Sequence, residues 1–292
     1  DKLIAITFDD GPRRNTTERL LDGLQERGAS ATFFLIGKQI EGNEDLVRRM
    51  QAEGHQVGSH TWNHVRLQGI SRETLQREVG RTEETLEALL GGGPYWLRPP
   101  YGAVDAADRE LLQVPMIKWS IDPRDWEKLN TAQVKAAVLE NAAPNQIILL
   151  HDIYDTSVDA ALEIVDTLQG EGYRFVTVQE LLEQLCREPA YAAFQFPVLV
   201  LSGLEQGMPL ADAWESGIRQ DKAIPETGKN LLLPLGEELG ASDLDGQTAT
   251  LSQYRRQLEP YAAEAGELCR RKQRLYCSLG VLGGFLAAIL LC

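Results

Sequence analysis

The chain has 292 residues, 43% hydrophobic and 25% charged, which is the ordinary composition of a folded protein and excludes wholesale disorder. At about 150 residues per domain the length fits two domains. A net charge of −14 argues against a nucleic-acid role, because such a chain gains nothing from counterion release, and four cysteines are too few for a disulfide framework of the small secreted kind.

The opening stretch DKLIAITFDDGP shows no basic n-region, apolar h-region or small-residue cleavage site, so no signal peptide is expected there. Lys2–Thr7 is an apolar run ending at an Asp-Asp-Gly-Pro turn and reads as a buried strand. From Thr17 a helix is expected, with Leu20, Leu21 and Leu24 at helical spacing and Gly28 as its stop. Ala31–Ile36 reads as a second buried strand, Asn43–Ala52 as a helix and Gln56–Ser59 as a brief strand. Ser71 opens the clearest helix, with a stripe through Leu75, Val79, Leu86 and Leu90. Met116–Trp119, Ile147–Leu150 and Phe175–Val178 complete the strands, with helices near 131–142 and 158–169. Such alternation gives parallel strands joined by crossover helices, as a barrel or a doubly wound sheet.

In these folds chemistry gathers at the C-terminal ends of the strands. Asp9 and Asp10, His60 and His64, Arg98, Asp122 and Asp125, and His151 all fall there. The His-x3-His spacing puts two imidazoles on one face of a helical turn, within reach of one metal; the alternative on spacing alone is two surface histidines. A neighbouring carboxylate makes a two-His, one-carboxylate site suited to zinc or another divalent metal. Asp9 and Asp10 are the candidates, since adjacent strand-end residues point apart and one can bind metal while the other faces substrate; the alternative for the pair by itself is a plain turn. A metal beside a free carboxylate is a hydrolytic arrangement. His151 is placed to protonate a leaving group, with Asp125 raising its pKa. His55 reads as structural.

The later sequence differs. Residues 1–188 hold most of the acidity, 31 Asp+Glu against 20 Lys+Arg. Pro189–Pro197 reads as a linker, followed by helices near 198–206, 209–219 and 231–238. One long helix is then expected, divided or kinked by Pro260. Leu275–Cys292 carries no charge and follows Arg270, Arg271, Lys272 and Arg274. It reads as a membrane-spanning helix with a basic flank rather than a buried core helix.

Five motifs occur in one order: TFDDGP at 7–12, HTWNH at 60–64, RPPYG at 98–102, DPRDW at 122–126 and ILLHD at 148–152. On these, residues 1–188 resemble the polysaccharide deacetylase family, also called the NodB-homology or carbohydrate esterase family 4 domain. The resemblance implies a distorted (β/α) barrel and metal-dependent release of acetate from a polysaccharide such as peptidoglycan or a chitin-like glycan. It implies Asp9 as general base and Asp10, His60 and His64 as metal ligands, most often for Zn2+. It implies Arg98 as the partner of the base and the Tyr101 N–H as oxyanion donor. Trp126 and Leu149 would line the acetyl pocket, and His151 would be the general acid tuned by Asp125. LPLGEELGASDLDGQ and LYCSLGVLGGFLAAILLC resemble the C-terminal part of stage III sporulation protein AB. That implies an incomplete all-helical domain over 189–274, a transmembrane helix over 275–292 and sporulation assembly proteins as partners. The expected location is a bacterial membrane, with the side open: the basic flank places the preceding segment inside, whereas deacetylases of this family act outside. The alternative is a sporulation membrane scaffold whose deacetylase-like domain only binds, or two genes joined.

Overall fold

The structure is a computed structural model that describes residues 2–105, 111–112, 114–187, 194–238, 246 and 249–260. The chain divides into two compact units, Asp1–Pro225 and Glu226–Cys292. The first contains β1 (Lys2–Asp9), α1 (Arg14–Glu26), β2 (Thr32–Leu35), α2 (Gly37–Ile40), α3 (Glu44–Ala52), β3 (Gln56–Ser59) and α4 (Arg72–Leu90). After a 3-10 turn at Pro100–Gly102 come α5 (Asp125–Lys128), α6 (Thr131–Asn141), β4 (Ile147–His151), α7 (Asp155–Gly170), β5 (Tyr173–Val176) and α8 (Val178–Cys186). Two more helices, α9 (Phe196–Glu205) and α10 (Leu210–Gln220), complete it. The second unit holds α11 (Glu226–Leu232), α12 (Leu235–Glu238) and a helical stretch at 249–260.

All strand pairs are parallel, in the order β3-β2-β1-β4, with β5 also on β1. Ala5 faces both Ile147 and Val176, and Thr7 faces both Thr32 and Leu149. β4 therefore takes one edge of β1, while β5 and β2 share the other, half each. Isolated bridges Ser59–Leu97, Leu97–Met116 and Ile121–Ile148 carry the neighbour relation from β3 round to β4. The parallel layer thus curls back on itself, as expected of a distorted barrel.

Alternation along β1 separates two cores. Ile4, Ile6 and Phe8 pack outward with Phe33, Ile148 and Leu150 against Leu20, Leu21 and Leu24 of α1 and Ile164 and Val165 of α7. Leu3 and Ala5 point the other way, with Phe34, Trp96, Val176, Leu181 and Leu201. Thr7 and Asp9 share that inner face, so the period-two repeat carries the last carboxylate of β1 into the barrel. Ser71 caps α4 by accepting from Thr74 N–H, as its sequence start implied.

Two sequence expectations are corrected. Met116–Trp119 is not a strand: Leu97 pairs with Pro115 and Ile117, Ile121 pairs with β4, and the Lys118 carbonyl between them accepts from Arg98 instead. The helix expected over 231–238 is two short helices, because Pro234 supplies no N–H and interrupts the ladder. Among the described residues no helix is long and apolar enough to cross a membrane. The transmembrane helix expected over 275–292, like most of the expected linker, lies outside the described residues.

Leu150 is fully buried in the outer core. Leu150→Ala is expected to cost about 2–5 kcal/mol, read as a lower urea midpoint at unchanged m value.

Candidate metal and acid–base site

The site is built on the inner face and C-terminal rim of the strands. Arg98, with no solvent exposure, crosses the barrel interior. Its Nη1 donates to Asp9 Oδ1 at 2.9 Å and to Thr7 Oγ1 at 2.6 Å, and its Nη2 donates to the Lys118 carbonyl at 3.0 Å. The guanidinium lies 4.1 Å from the Phe34 ring centroid. Burial lowers its pKa, and the adjacent Asp9 carboxylate opposes that shift. Asp9 is itself buried, so a charge that would be costly alone is paired.

Asp10, His60 and His64 converge, each offering one ligand atom within 4.8 Å of the others. His60 Nε2 is 3.6 Å and His64 Nε2 3.3 Å from Asp10 Oδ1. Asp10 Oδ1 is buried and has no hydrogen-bond partner. His60 Nδ1 lies 2.6 Å from the Arg98 carbonyl, which fixes the proton on Nδ1 and turns the Nε2 lone pair to Asp10 and His64. Burial lowers the His60 pKa, against the pull of Asp9 and Asp10, which favours the neutral ring. An orphaned carboxylate oxygen, a neutral imidazole with the required tautomer and a second imidazole fit a divalent cation.

His151 lies across from this set, with Nε2 4.0 Å from Asp10 Oδ2. Its Nδ1 and its backbone N–H are each 2.8 Å from an oxygen of the fully buried Asp125. Burial disfavours the imidazolium, but the Asp125 hydrogen bond and the charges of Asp125, Asp9 and Asp10 outweigh it and raise the pKa to about 9. Leu149 sits two residues before His151 on the inner face of β4, buried beside Thr7. Trp126 follows Asp125 on α5 and stands half-exposed. Tyr101 has φ 59°, and the turn's backbone hydrogen bonds use the N–H groups of Gly102 and Ala103. The Tyr101 hydroxyl reaches His64 Nδ1 at 3.4 Å. Asp122 Oδ1 accepts from Arg124 N–H and shapes the DPRDW loop.

Two supporting carboxylates escaped the sequence reading. Glu78 of α4 is buried and accepts from both the backbone N–H and the side-chain amide of Asn63, at 2.8 and 2.9 Å. It thereby holds the loop between His60 and His64. Asp152 accepts from Thr17, is fully buried and has its pKa raised by burial to about 7. A Cβ on Gly11 would collide with its carboxylate oxygens, so only glycine lets the TFDDGP turn close over it. The last residue of ILLHD was the available signal for Asp152; Glu78 lies on the polar run of an amphipathic helix and had none. His55 is structural as read: Nδ1 accepts from Ala31 N–H at 3.1 Å, and burial lowers its pKa to about 4.

Sequence and structure comparisons agree with this geometry. The family model for polysaccharide deacetylase matches residues 1–114, and that for stage III sporulation protein AB matches residues 159–292. A peptidoglycan-N-acetylglucosamine deacetylase of Bacillus cereus is 37% identical over 190 residues, covering 62% of this chain and 89% of the relative. The chain belongs to the polysaccharide deacetylase family. The peptidoglycan-N-acetylmuramic acid deacetylase PdaC of Bacillus subtilis is 38% identical over 182 residues, 62% of this chain. The match spans only 39% of that relative's length. Its solved structure superposes with a TM-score of 0.62 at 37% identity, covering 65% of this chain and 94% of that one. A family 4 acetyl xylan esterase from Clostridium thermocellum, solved with a cobalt ion, gives a TM-score of 0.60 at 30% identity, covering 63% and 91%.

His151 titrates above the ordinary imidazole value of about 6.5. Its pairing with Asp125 therefore stabilises the fold fully below about pH 6.5, and that contribution is lost as the pH rises through about 9. Asp125→Asn is expected to lower the His151 pKa, followed by NMR, by about one pH unit or more. It should also lower Tm more at about pH 6 than at about pH 10. An unmoved His151 titration would show that Asp125 does not hold the proton.

Proposed function

We propose that the chain hydrolyses the N-acetyl (or O-acetyl) group of a glycan, with peptidoglycan as the leading substrate, and releases acetate. One observation carries this reading: a paired carboxylate, a two-His, one-Asp donor set with an orphaned oxygen, and a proton-holding imidazole surround one space. The names of the relatives, peptidoglycan deacetylases among them, supply the substrate class.

Asp10, His60 and His64 would hold the metal, with Zn2+ expected from two nitrogens and one oxygen with open positions. Bound there, a divalent cation polarises a carbonyl and lowers the pKa of water. Asp9, fixed by Arg98, takes the proton of the attacking water as its oxygen bonds to the acetyl carbon. The Tyr101 N–H donates to the oxygen that gains charge. His151 then gives its proton to the departing nitrogen as the C–N bond breaks, leaving a free amine and acetate. Asp125 keeps that proton available near neutral pH by raising the His151 pKa. Leu149, and Trp126 at the rim, would border the acetyl methyl.

The match over residues 159–292 favours a second element of the reading. The helical region and the apolar run at 275–292 would attach the enzyme to a bacterial membrane, within a sporulation assembly.

Asp9→Asn is expected to retain metal and to lower the kcat for acetate release from N-acetylglucosamine oligomers by about 10²–10⁴-fold. Full turnover by that variant would remove Asp9 from the role of base. His60→Ala is expected to lose metal, measured by elemental analysis, together with activity; full metal content would break the proposed ligand set.

A further inference from the structure

A cavity of about 530 Å³ lies at the start of β3, the end opposite the metal-site histidines, and has the size of a small-molecule site. Gln51 and Gln56, Glu183 of α8, Glu205 of α9 and the turn Gly91–Gly93 wall it, and no Lys or Arg does. Glu205 has no ion-pair partner among the described residues. Glu183 accepts from Gln179 Nε2 at 3.2 Å and is shared with Arg187, mostly exposed, at 3.7 Å. Neutral donors stand beside these carboxylates. Gln56 Oε1 accepts from Thr32 Oγ1 and from Gln179 N–H, at 3.1 and 3.0 Å, and its NH2 donates to no described residue. His55 also borders the cavity, with its side chain only 2% exposed. Because Nδ1 accepts from Ala31 N–H, the proton of the neutral ring is on Nε2, and Nε2 is buried without a partner. Glu53 Oε2 stands 4.0 Å from it, too far to accept. A buried donor left unmet is costly, and a ligand oxygen in the cavity would relieve it.

The carboxylates select a positive group, and the amides and imidazole N–H select hydroxyl oxygens. A hydroxylated amine satisfies both. We propose that this cavity is a second binding site, for an amino-sugar unit of a deacetylated glycan, with its ammonium at Glu183 and Glu205 and its hydroxyls on Gln51, Gln56 and His55. The proposal takes the source of its ligand from the deacetylase reading: each turnover would convert a neutral acetamido sugar into one that carries an ammonium. The binding chemistry itself stands on the cavity. The two sites share backbone segments. Gln56 and His60 bracket β3, about 13 Å apart along an extended strand. Trp96 also walls the cavity; its carbonyl accepts from Ser59 N–H at 2.8 Å, and the Ser59 carbonyl accepts from Arg98 N–H at 2.9 Å. Product held at this end would keep the enzyme on a partly processed polymer while acetylated sugars reach the other.

The test titrates the zinc-loaded full chain with glucosamine trimer, N-acetylglucosamine trimer and a plain alkyl diamine, in the wild type, Glu205→Gln and the double variant Glu183→Gln/Glu205→Gln. NMR shifts of the Val57 and Leu90 methyls report the cavity, and those of Leu149 report the metal site. Glucosamine trimer is expected to move the Val57 and Leu90 methyls saturably and to bind there about tenfold more tightly than the acetylated trimer. Its affinity at those methyls should fall about fivefold in Glu205→Gln and about tenfold in the double variant, with the Leu149 response unchanged. Cavity methyls that do not move, equal affinity for the two trimers, a diamine that binds as tightly as the amino sugar, or an affinity untouched in the double variant would each overturn the proposal. The single variant serves if the double one does not fold. On a partly deacetylated polymer the KM for acetate release is expected to rise about fivefold in Glu205→Gln at unchanged kcat. A wild type that binds the amino sugar at the cavity but releases no acetate would sink the deacetylase reading and leave the second site standing.

Discussion

The buried Arg98–Asp9 pair is the interaction on which the rest of the site depends. A guanidinium without solvent exposure is tolerated because Asp9, Thr7 and the Lys118 carbonyl accept from its two terminal nitrogens and Phe34 covers its face. The same residue's carbonyl accepts the His60 Nδ1 proton. One residue thus orients the candidate base, sets the tautomer of a candidate metal ligand and joins β1 to the segment that replaces a regular strand. Removing it would strand a buried carboxylate as well as lose a contact.

The histidines show how environment assigns opposite states to one residue type. His60 is buried against a carbonyl, and desolvation shifts it toward the neutral form. His151 is also largely buried, yet a carboxylate on Nδ1 holds it charged to about pH 9. Desolvation acts the same way on both rings; the partner on Nδ1 decides the outcome. A neutral ring suits metal ligation and a charged one suits proton donation, so the two tasks are separated by hydrogen-bond chemistry.

Much of this was legible in the sequence, because apolar runs between Gly and Pro punctuation mark buried parallel strands and the polar motifs fall just after them. The inner or outer sense of β1 follows from alternation once the fold is known. Other features were not legible. Met116–Trp119 has a strand's composition but divides its pairing between two neighbours. Asp10, Thr61, His64, Tyr101 and Arg124 adopt left-handed backbone, at φ from 55° to 75°, though none is glycine. Such conformations cost energy that only surrounding packing can hold, and no local propensity announces them. Glu78 supports the histidine loop from a helix whose sequence reads as an ordinary solvated face.

Leu201 of α9 belongs to the same inner core as Phe34, Trp96 and Val176. The barrel therefore does not end, energetically, where its last strand ends. The opening of α9 away from the barrel would bring water to the base of the layer on which Asp9 and Arg98 stand. Whatever binds or pulls on α9 is thereby linked, through shared free energy, to the integrity of the site at the far end of the strands.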